Sequence, residues 1–170
     1  MVANVPAGKK VVVEPVVPDQ WAQDTGNPLP IIPNGNRWNK YPLSRSQIDP
    51  KTGRRLPGDG VIVNIEDFER VLRPELVDFF EQQEYCWVVV GSTQRGRAEA
   101  EPSVVPNALR YYKELERRSR VVYDASPYSK GKGPVGFNFD WTFNYYPLAY
   151  NRPGPEMTIY RLQGGQCVGG

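Results

Sequence analysis

In the second half of the chain, helical patterns of apolar residues alternate with strand-like ones. Helical spacing follows Pro74 and returns later, where Leu109, Tyr112 and Leu115 recur at every third position. Between these helices, the apolar run from 85 to 90 is typical of a strand that is covered on both faces. Further strands are predicted at 10–14, 121–123 and 157–162, the last half-buried and at a sheet edge. This alternation predicts an α/β fold, a three-layer sandwich with a mostly parallel sheet.

Residues 15–60 show no sustained apolar period, and proline and glycine recur throughout. Such a long stretch without regular structure is uncommon in a compact domain and indicates either disorder or a functional loop. The large apolar side chains in this stretch, Trp21, Trp38 and Tyr41 among them, favour an ordered loop. We therefore predict a single domain over residues 1–170 that contains a long, Pro-rich, ordered loop at 15–60.

The first residues read as the end of a helix, closed by Asn4, Pro6 and Gly8 before the strand at 10–14. A free-standing domain more often begins with a complete element or a disordered tail. The chain is therefore expected to be a piece of a larger protein.

The absence of histidine narrows the chemistry, because it removes the commonest general base and the commonest transition-metal ligand together. Serine–histidine triads and histidine-based zinc sites are excluded, and we predict no metal site. The 21 basic and 19 acidic residues leave a net charge of +2, too small for a surface that neutralises nucleic-acid phosphates. No stretch approaches the roughly 20 apolar residues of a membrane helix, and no signal peptide opens the sequence.

Two cysteines, Cys86 and Cys167, lie far apart and lack the Cys-x-x-Cys spacing of redox or metal sites. They form either one disulfide in an exported protein or two inert buried thiols. The sequence alone leaves both alternatives open.

The segment Gly91-Ser-Thr-Gln-Arg-Gly-Arg97 follows the buried strand and is the first candidate site. In open α/β sheets the carboxyl ends of the strands form the usual binding crevice, where Arg95 and Arg97 could pair with an anion. The segment is neither a dinucleotide-binding fingerprint nor a Walker loop, and no helix is predicted to start directly on it. The alternative is a polar turn with solvated arginines.

The second candidate is the aromatic segment 137–150, in which Asp140, Trp141, Tyr145 and Tyr146 lie together and Arg152 follows. Flat rings beside polar groups can stack on sugars while bonding their hydroxyl groups, and such rings also favour membrane surfaces. The alternative is that the rings pack over one sheet edge. Asp140 alone is not a catalytic pair, and no catalytic residue is assigned.

The opening stretch Ala3-Asn-Val-Pro-Ala-Gly-Lys-Lys-Val-Val-Val-Glu14 resembles a junction in bacterial integral-membrane glycosyltransferases related to dolichyl-phosphate-mannose protein mannosyltransferases. It looks like the segment that follows their last membrane helix. Later stretches are similar to their extracytoplasmic C-terminal domain: Gly91-Ser-Thr-Gln-Arg-Gly-Arg97, Pro106 with Ala108 and Tyr111-Tyr112 in the helix that follows, Ser126-Pro-Tyr128, Phe137-Asn-Phe-Asp-Trp141, Tyr145-Tyr-Pro-Leu-Ala-Tyr150 and Arg152-Pro-Gly-Pro155.

The resemblance implies a soluble domain at the extracytoplasmic face of the cell membrane, within a multi-pass enzyme that takes its sugar from a polyprenyl-phosphate donor. The catalytic acid of that family lies in an early loop absent from this chain, so no residue here inherits its role and no cofactor is implied. The expected partners are the membrane-embedded part of the same polypeptide and an acceptor or glycan. The alternatives are a free-standing carbohydrate-binding module and a small soluble α/β enzyme with its site at the Gly91 turn.

Overall fold

A computed structural model describes residues 3–14, 22–24, 37–41, 71–129 and 155–169. The strands in these ranges are β1 Lys10–Val13, β2 Ala22–Asp24, β3 Trp38–Tyr41, β4 Trp87–Gly91, β5 Ser119–Ala125 and β6 Met157–Leu162. The α-helices of the same ranges are α1 Glu75–Gln82, α2 Ser92–Ala100 and α3 Pro106–Arg118, and a short 3₁₀ turn spans Gly165–Cys167. The described part of the chain is therefore a mixed α/β structure, as the sequence predicts.

The six strands form one sheet in the order β2-β3-β1-β4-β6-β5. The strands from β2 to β4 pair in parallel, whereas β6 runs antiparallel to both β4 and β5. Because β4 and β5 are both antiparallel to β6, β6 alone opposes the direction of the other five described strands, so the sheet is mixed, with three parallel and two antiparallel pairings. The strand at 157–162 is not at the edge, because β5 pairs with its outer side.

Side chains alternate between two faces along each strand, and each face carries its own apolar cluster. The helix face carries Val12, Val88 and Leu162, which join the cluster to which all three described helices contribute. The opposite face carries Val11, Val89 and Ile159. Because the described helices all pack on the helix face, the three-layer arrangement stays a prediction.

Helices α1 and α3 form where the apolar spacing predicts them. Phe80 of α1 and Leu115 of α3 are fully buried, and burying each such side chain is worth about 2 kcal/mol. Pro106 stands at the first position of α3, where its missing N–H costs no hydrogen bond. The last turn of α3 carries Arg117 and Arg118, whose positive charges suit the negative end of the helix dipole.

Helix α2 corrects one prediction, because it starts at Ser92, directly after β4 ends at Gly91. The polar sequence of this segment has no apolar period, and among its nine residues only Gln94 and Ala98 are buried. The helix therefore depends on its attachment to β4 and its packing near α3 more than on its own amphipathic pattern.

The C-terminal segment is attached to the helix layer by covalent and ionic contacts. Cys86 and Cys167 form a disulfide with their Cα atoms 5.4 Å apart. The buried carboxylate of Glu81 accepts a hydrogen bond of 2.9 Å from the Gly164 amide and pairs with the Arg118 guanidinium. These contacts join α1, α3 and the 3₁₀ turn, so this end of the molecule is strongly cross-linked.

Candidate functional site

The sheet has a topological switch point between β1 and β4. After β1 the chain passes to β2 and β3 on one side of the sheet, whereas after β4 it passes through α2 and α3 to β5 at the opposite edge. The two connections leave adjacent parallel strands in opposite directions, which opens a crevice at their carboxyl ends in α/β proteins. Glu14 directly follows β1 at this point, and Ser92 directly follows β4.

Glu14 is the central residue of this region. Its backbone amide donates a 3.1 Å hydrogen bond to the Val89 carbonyl, which fixes it beside β4. Its side chain is only 2% exposed, and neither carboxylate oxygen makes a hydrogen bond of ordinary geometry within the described part of the chain. Burial raises the pKa of this carboxyl from its ordinary value of 4.5 to about 8. At neutral pH the group is therefore mostly protonated.

Three weaker influences act on Glu14 against the effect of burial. The Tyr112 hydroxyl, the Gly91 backbone and the Arg95 charge all favour the carboxylate and lower its pKa. The first two lie near the carboxyl group without completing a well-formed hydrogen bond to it. Glu14 consequently keeps hydrogen-bonding capacity that its neighbours do not use.

Tyrosines from α3 and β6 surround the carboxyl group. Tyr111 and Tyr112 are buried, with ring centroids 5.1 Å apart and an interplanar angle of 65°. Neither hydroxyl makes a hydrogen bond of ordinary geometry among the described contacts. Burial and the nearby Glu14 raise the pKa of both tyrosines well above its usual value, so both hydroxyls stay protonated. The region thus offers several buried groups that can donate or accept a hydrogen bond.

Arg95 forms the outer boundary of this region, because its side chain is 32% exposed. Its guanidinium binds the Glu99 carboxylate at 2.7 Å and the Glu116 carboxylate at 2.6 Å, and lies 5.8 Å from the Tyr112 ring centroid. Burial lowers the pKa of Arg95, but the Glu99 and Glu116 carboxylates have a larger combined effect, and the pKa is raised above its ordinary value. Arg95 also donates a long 3.4 Å contact to the Tyr160 hydroxyl. We call Glu14, Arg95, Tyr111, Tyr112 and Tyr160 the Glu14 cluster.

The first turn of α2 closes one side of the crevice. The Ser92 amide donates to the Glu156 carbonyl at 2.9 Å, and the Glu156 amide donates to the Ser92 hydroxyl at 3.0 Å. Two residues further on, Gln94 is 2% exposed and its side-chain oxygen makes no hydrogen bond in the described part of the structure. Ser92 is therefore engaged by β6, whereas Gln94 adds a buried polar group near the helix start.

The structure separates the two arginines that the sequence proposed as anion ligands. Arg95 and Arg97 are two residues apart on one helix, and side chains at that spacing point in different directions. Arg95 already has two carboxylate partners, and burial lowers the pKa of Arg97. Their role in ligand binding stays a prediction. The other predicted binding residues, Asp140, Trp141, Tyr145, Tyr146 and Arg152, lie outside the described residues.

Sequence reasoning missed Glu14, Tyr111, Tyr112 and Tyr160 as members of a site. The sequence did contain a signal for Glu14. This acidic residue directly follows the apolar run Val11-Val-Val13, so it stands at the carboxyl end of a buried strand, where binding crevices form. The tyrosines gave no such signal, since aromatic residues at helical or strand spacing usually belong to the core.

Comparison with protein-family models, with curated proteins and with solved structures finds no match for this chain. In the described ranges, no three histidine, cysteine, aspartate or glutamate side chains are grouped as ligands for a metal ion. None of the helices in those ranges is both long enough and apolar enough to cross a membrane. What the chain does must therefore be inferred from its own residues.

Taken together, the cluster suits the recognition of a ligand rich in hydroxyl groups. A protonated Glu14 can donate and accept hydrogen bonds, and the tyrosine hydroxyls can do the same. Arg95 is already neutralised by Glu99 and Glu116, so the rim of the cluster carries no excess positive charge for an anion. A carboxyl group with a pKa of about 8 is also in the range of a general acid near neutral pH.

Proposed function

We propose that this chain is the extracytoplasmic accessory domain of a mannosyltransferase-like membrane enzyme that uses a polyprenyl-phosphate-sugar donor. In this proposal the Glu14 cluster holds hydroxyl groups of the acceptor or of a glycan, and the membrane-embedded part of the same polypeptide transfers the sugar. The observation that carries the binding role is the unused hydrogen-bonding capacity of buried Glu14, Tyr111 and Tyr112 at the switch point.

The disulfide supports the location at the outer face of the membrane. Disulfides persist in oxidising compartments and are rare where thiols are kept reduced. The Cys86–Cys167 bond closes a separation of 81 residues and joins the start of β4 to the C-terminal 3₁₀ turn. A bond with this position in the fold is a structural cross-link, which favours an exported domain over an intracellular one.

The segment before β1 is held against the sheet. Trp38 is fully buried on β3, and its indole N–H donates to the Pro6 carbonyl at 2.9 Å and to the Val5 carbonyl at 3.3 Å. If this segment connects the domain to the membrane-embedded part, as proposed, these bonds would make the connection rigid on the side of the sheet.

The finer architecture belongs to the same proposal. Helices α1 to α3 cover one face of the sheet, and the cluster of Val11, Val89 and Ile159 occupies the other. We propose a third layer over this second face, within one domain spanning 1–170. The described parts of the predicted loop at 15–60 include β2 and β3, which are strands of the sheet itself, and the rest of that loop lies outside the described residues. The aromatic segment 137–150 would extend the glycan-contacting surface through Trp141.

A ligand would reach the cluster on the side of Arg95, which is its partly exposed member. The contact between Arg95 and the Tyr160 hydroxyl is long, at 3.4 Å, so it can separate at little cost. Rotation of Arg95 toward Glu99 would then give hydroxyl groups access to Glu14 and Tyr112.

The test uses membranes that contain the whole protein encoded with this chain. The substitution Glu14→Met keeps the length of the side chain but removes both oxygen atoms that can form hydrogen bonds, and we expect at least tenfold loss of sugar transfer. The matched control is Glu75→Met, which makes the same change at an exposed position of α1. Equal activity of the two variants would refute the binding role of Glu14. A reading frame that begins at Met1 with no hydrophobic helices upstream would refute the membrane enzyme and favour the carbohydrate-binding module.

A second candidate, the small soluble α/β enzyme, is favoured by one observation. Glu14 lies at the switch point, where α/β proteins bind their ligands, and its pKa of about 8 suits a general acid near neutral pH. Turnover of activated sugars or phosphoesters by this chain alone, lost in Glu14→Gln, would establish that alternative.

A further inference from the structure

Three side chains form a row across the face of the sheet opposite the Glu14 cluster. In the register of the sheet, Trp87 of β4 lies opposite Arg161 of β6, and Arg161 lies opposite Arg120 of β5. Residues directly opposite each other in antiparallel strands point to the same face and lie within contact distance. Trp87 in turn lies beside Val11, whose side chain belongs to the cluster on the opposite face.

Arg161 is unusual because it is charged and only 6% exposed. Its guanidinium lies 5.0 Å from the Trp87 ring centroid, and its Nη1 donates a 2.9 Å hydrogen bond to the Leu162 carbonyl. The Nε–H is buried and has no hydrogen-bond partner among the residues that the structure describes. The stacking on Trp87 offsets part of the cost of burial, but one donor of the guanidinium is still unused.

No negative charge compensates this arginine in the described part of the chain. Arg95, Arg117 and Arg118 each have a glutamate partner, whereas no carboxylate is found on either Arg161 or Arg120. Burial lowers the pKa of Arg161, and the charge of Arg120 lowers it further. Two like charges directly opposite each other destabilise a sheet, and buried charges in proteins are normally paired. The pair therefore lacks a counter-charge.

We propose that Arg120, Arg161 and Trp87 form a binding site for the phosphate group of a phosphate-bearing ligand. Guanidinium groups bind oxyanions through paired N–H donors, and two of them match the charge of a phosphate dianion better than that of a carboxylate. Arg120 is exposed and Trp87 is half-buried, so the site is open to a ligand and has an apolar wall for the adjoining part of that ligand. The site lies across the sheet from the Glu14 cluster and goes beyond the function proposed for that cluster.

The test measures binding of inorganic phosphate and of phospholipid vesicles to the full chain. Titration with phosphate against chloride at equal ionic strength is followed by thermal unfolding and by tryptophan fluorescence. A ligand that binds only the folded state raises the unfolding temperature, and its stabilisation grows with the logarithm of one plus the ratio of free ligand concentration to Kd. Vesicles of phosphatidylcholine with phosphatidic acid are compared with pure phosphatidylcholine vesicles, which separates a lipid headgroup from a soluble phosphate.

The variants distinguish phosphate binding at this site from a general effect of removing a positive charge. We expect Arg120→Gln to weaken phosphate binding at least tenfold, whereas Arg117→Gln removes the same charge from an exposed position of α3 and should leave it unchanged. In Arg161→Met, phosphate should no longer raise the unfolding temperature. If that variant does not fold, the comparison of Arg120→Gln with Arg117→Gln decides whether phosphate binds at this site. Binding of inorganic phosphate, of phosphatidic acid vesicles or of both supports the site, and no binding of either, or equal loss in both glutamine variants, overturns it.

Discussion

The buried carboxyl group of Glu14 makes a specific prediction about how stability depends on pH. In the folded chain its pKa is about 8, because the group is shielded from water, whereas its ordinary value is 4.5. The substitution Glu14→Gln replaces it with a neutral side chain of the same length. Comparison of the two proteins isolates the titration of this single group, since all other ionisable groups are shared.

The sign follows from proton binding in the two states. Between pH 4.5 and 8 the folded state keeps the proton on Glu14 and the unfolded state has released it, so stability falls as the pH rises. The contribution is fully present below pH 4.5 and lost by about pH 8. Each pH unit changes the free energy of unfolding by about 1.4 kcal/mol, so the whole interval corresponds to roughly 5 kcal/mol. Glu14→Gln should lack this decline.

The measurement is urea unfolding followed by tryptophan fluorescence at pH 5, 6, 7 and 8, with the disulfide kept oxidised. We expect the stability of Glu14→Gln relative to the wild type to rise steadily over this range, by several kcal/mol in total. The matched control, Glu75→Gln, makes the same substitution at an exposed position of α1. Parallel curves for the wild type and Glu14→Gln would refute the shielding of Glu14 and its role at the centre of the cluster.

Three further predictions concern the scaffold. Replacing Cys167 with serine removes the bond to Cys86, which closes 81 residues, and should lower the free energy of unfolding in urea by about 4.5 kcal/mol. A wild type equally stable with and without reductant would contradict this. The substitution Trp38→Phe deprives two backbone carbonyls of the indole donor and should cost about 1–2 kcal/mol in the same assay, so an unchanged midpoint would contradict the anchoring role. Gly164→Ala places a methyl group against the Glu81 carboxylate and should cost about 1–3 kcal/mol, whereas unaltered stability would show that Glu81 can move aside.

Much of the fold could be predicted from local patterns. The continuous apolar run before Gly91 predicted β4, and the spacing of Leu109, Tyr112 and Leu115 predicted α3. The direction of β6 could not be predicted, because alternation of side chains is the same in parallel and antiparallel strands. Helix α2 was missed because its residues are polar on all sides and form a helix only through their place after β4.

The sequence predicted where the site lies better than it predicted which residues form it. The rule that crevices form at the carboxyl ends of strands directed attention to the Gly91 turn, and the structure adds Glu14 from the adjacent strand. Tyr111, Tyr112 and Tyr160 could not be assigned, because the sequence does not show which buried aromatic rings have their hydroxyl groups beside a carboxyl group. Contacts between β1, α3 and β6 depend on the order of the strands in the sheet. The spacing of apolar residues along the sequence does not show that order.

The most direct test of the Glu14 cluster is an NMR titration. The isotopically labelled chain is titrated with neutral mannose-containing oligosaccharides, and the amide chemical shifts show whether the cluster binds hydroxyl groups of the ligand. We expect saturable shifts centred on the amides of Gly91 to Arg95 and of Tyr112, retained in Glu75→Met and lost or strongly weakened in Glu14→Met, which cannot form hydrogen bonds to a ligand through this side chain. The absence of saturable shifts in the wild type, or identical shifts in the wild type and Glu14→Met, would contradict the proposal.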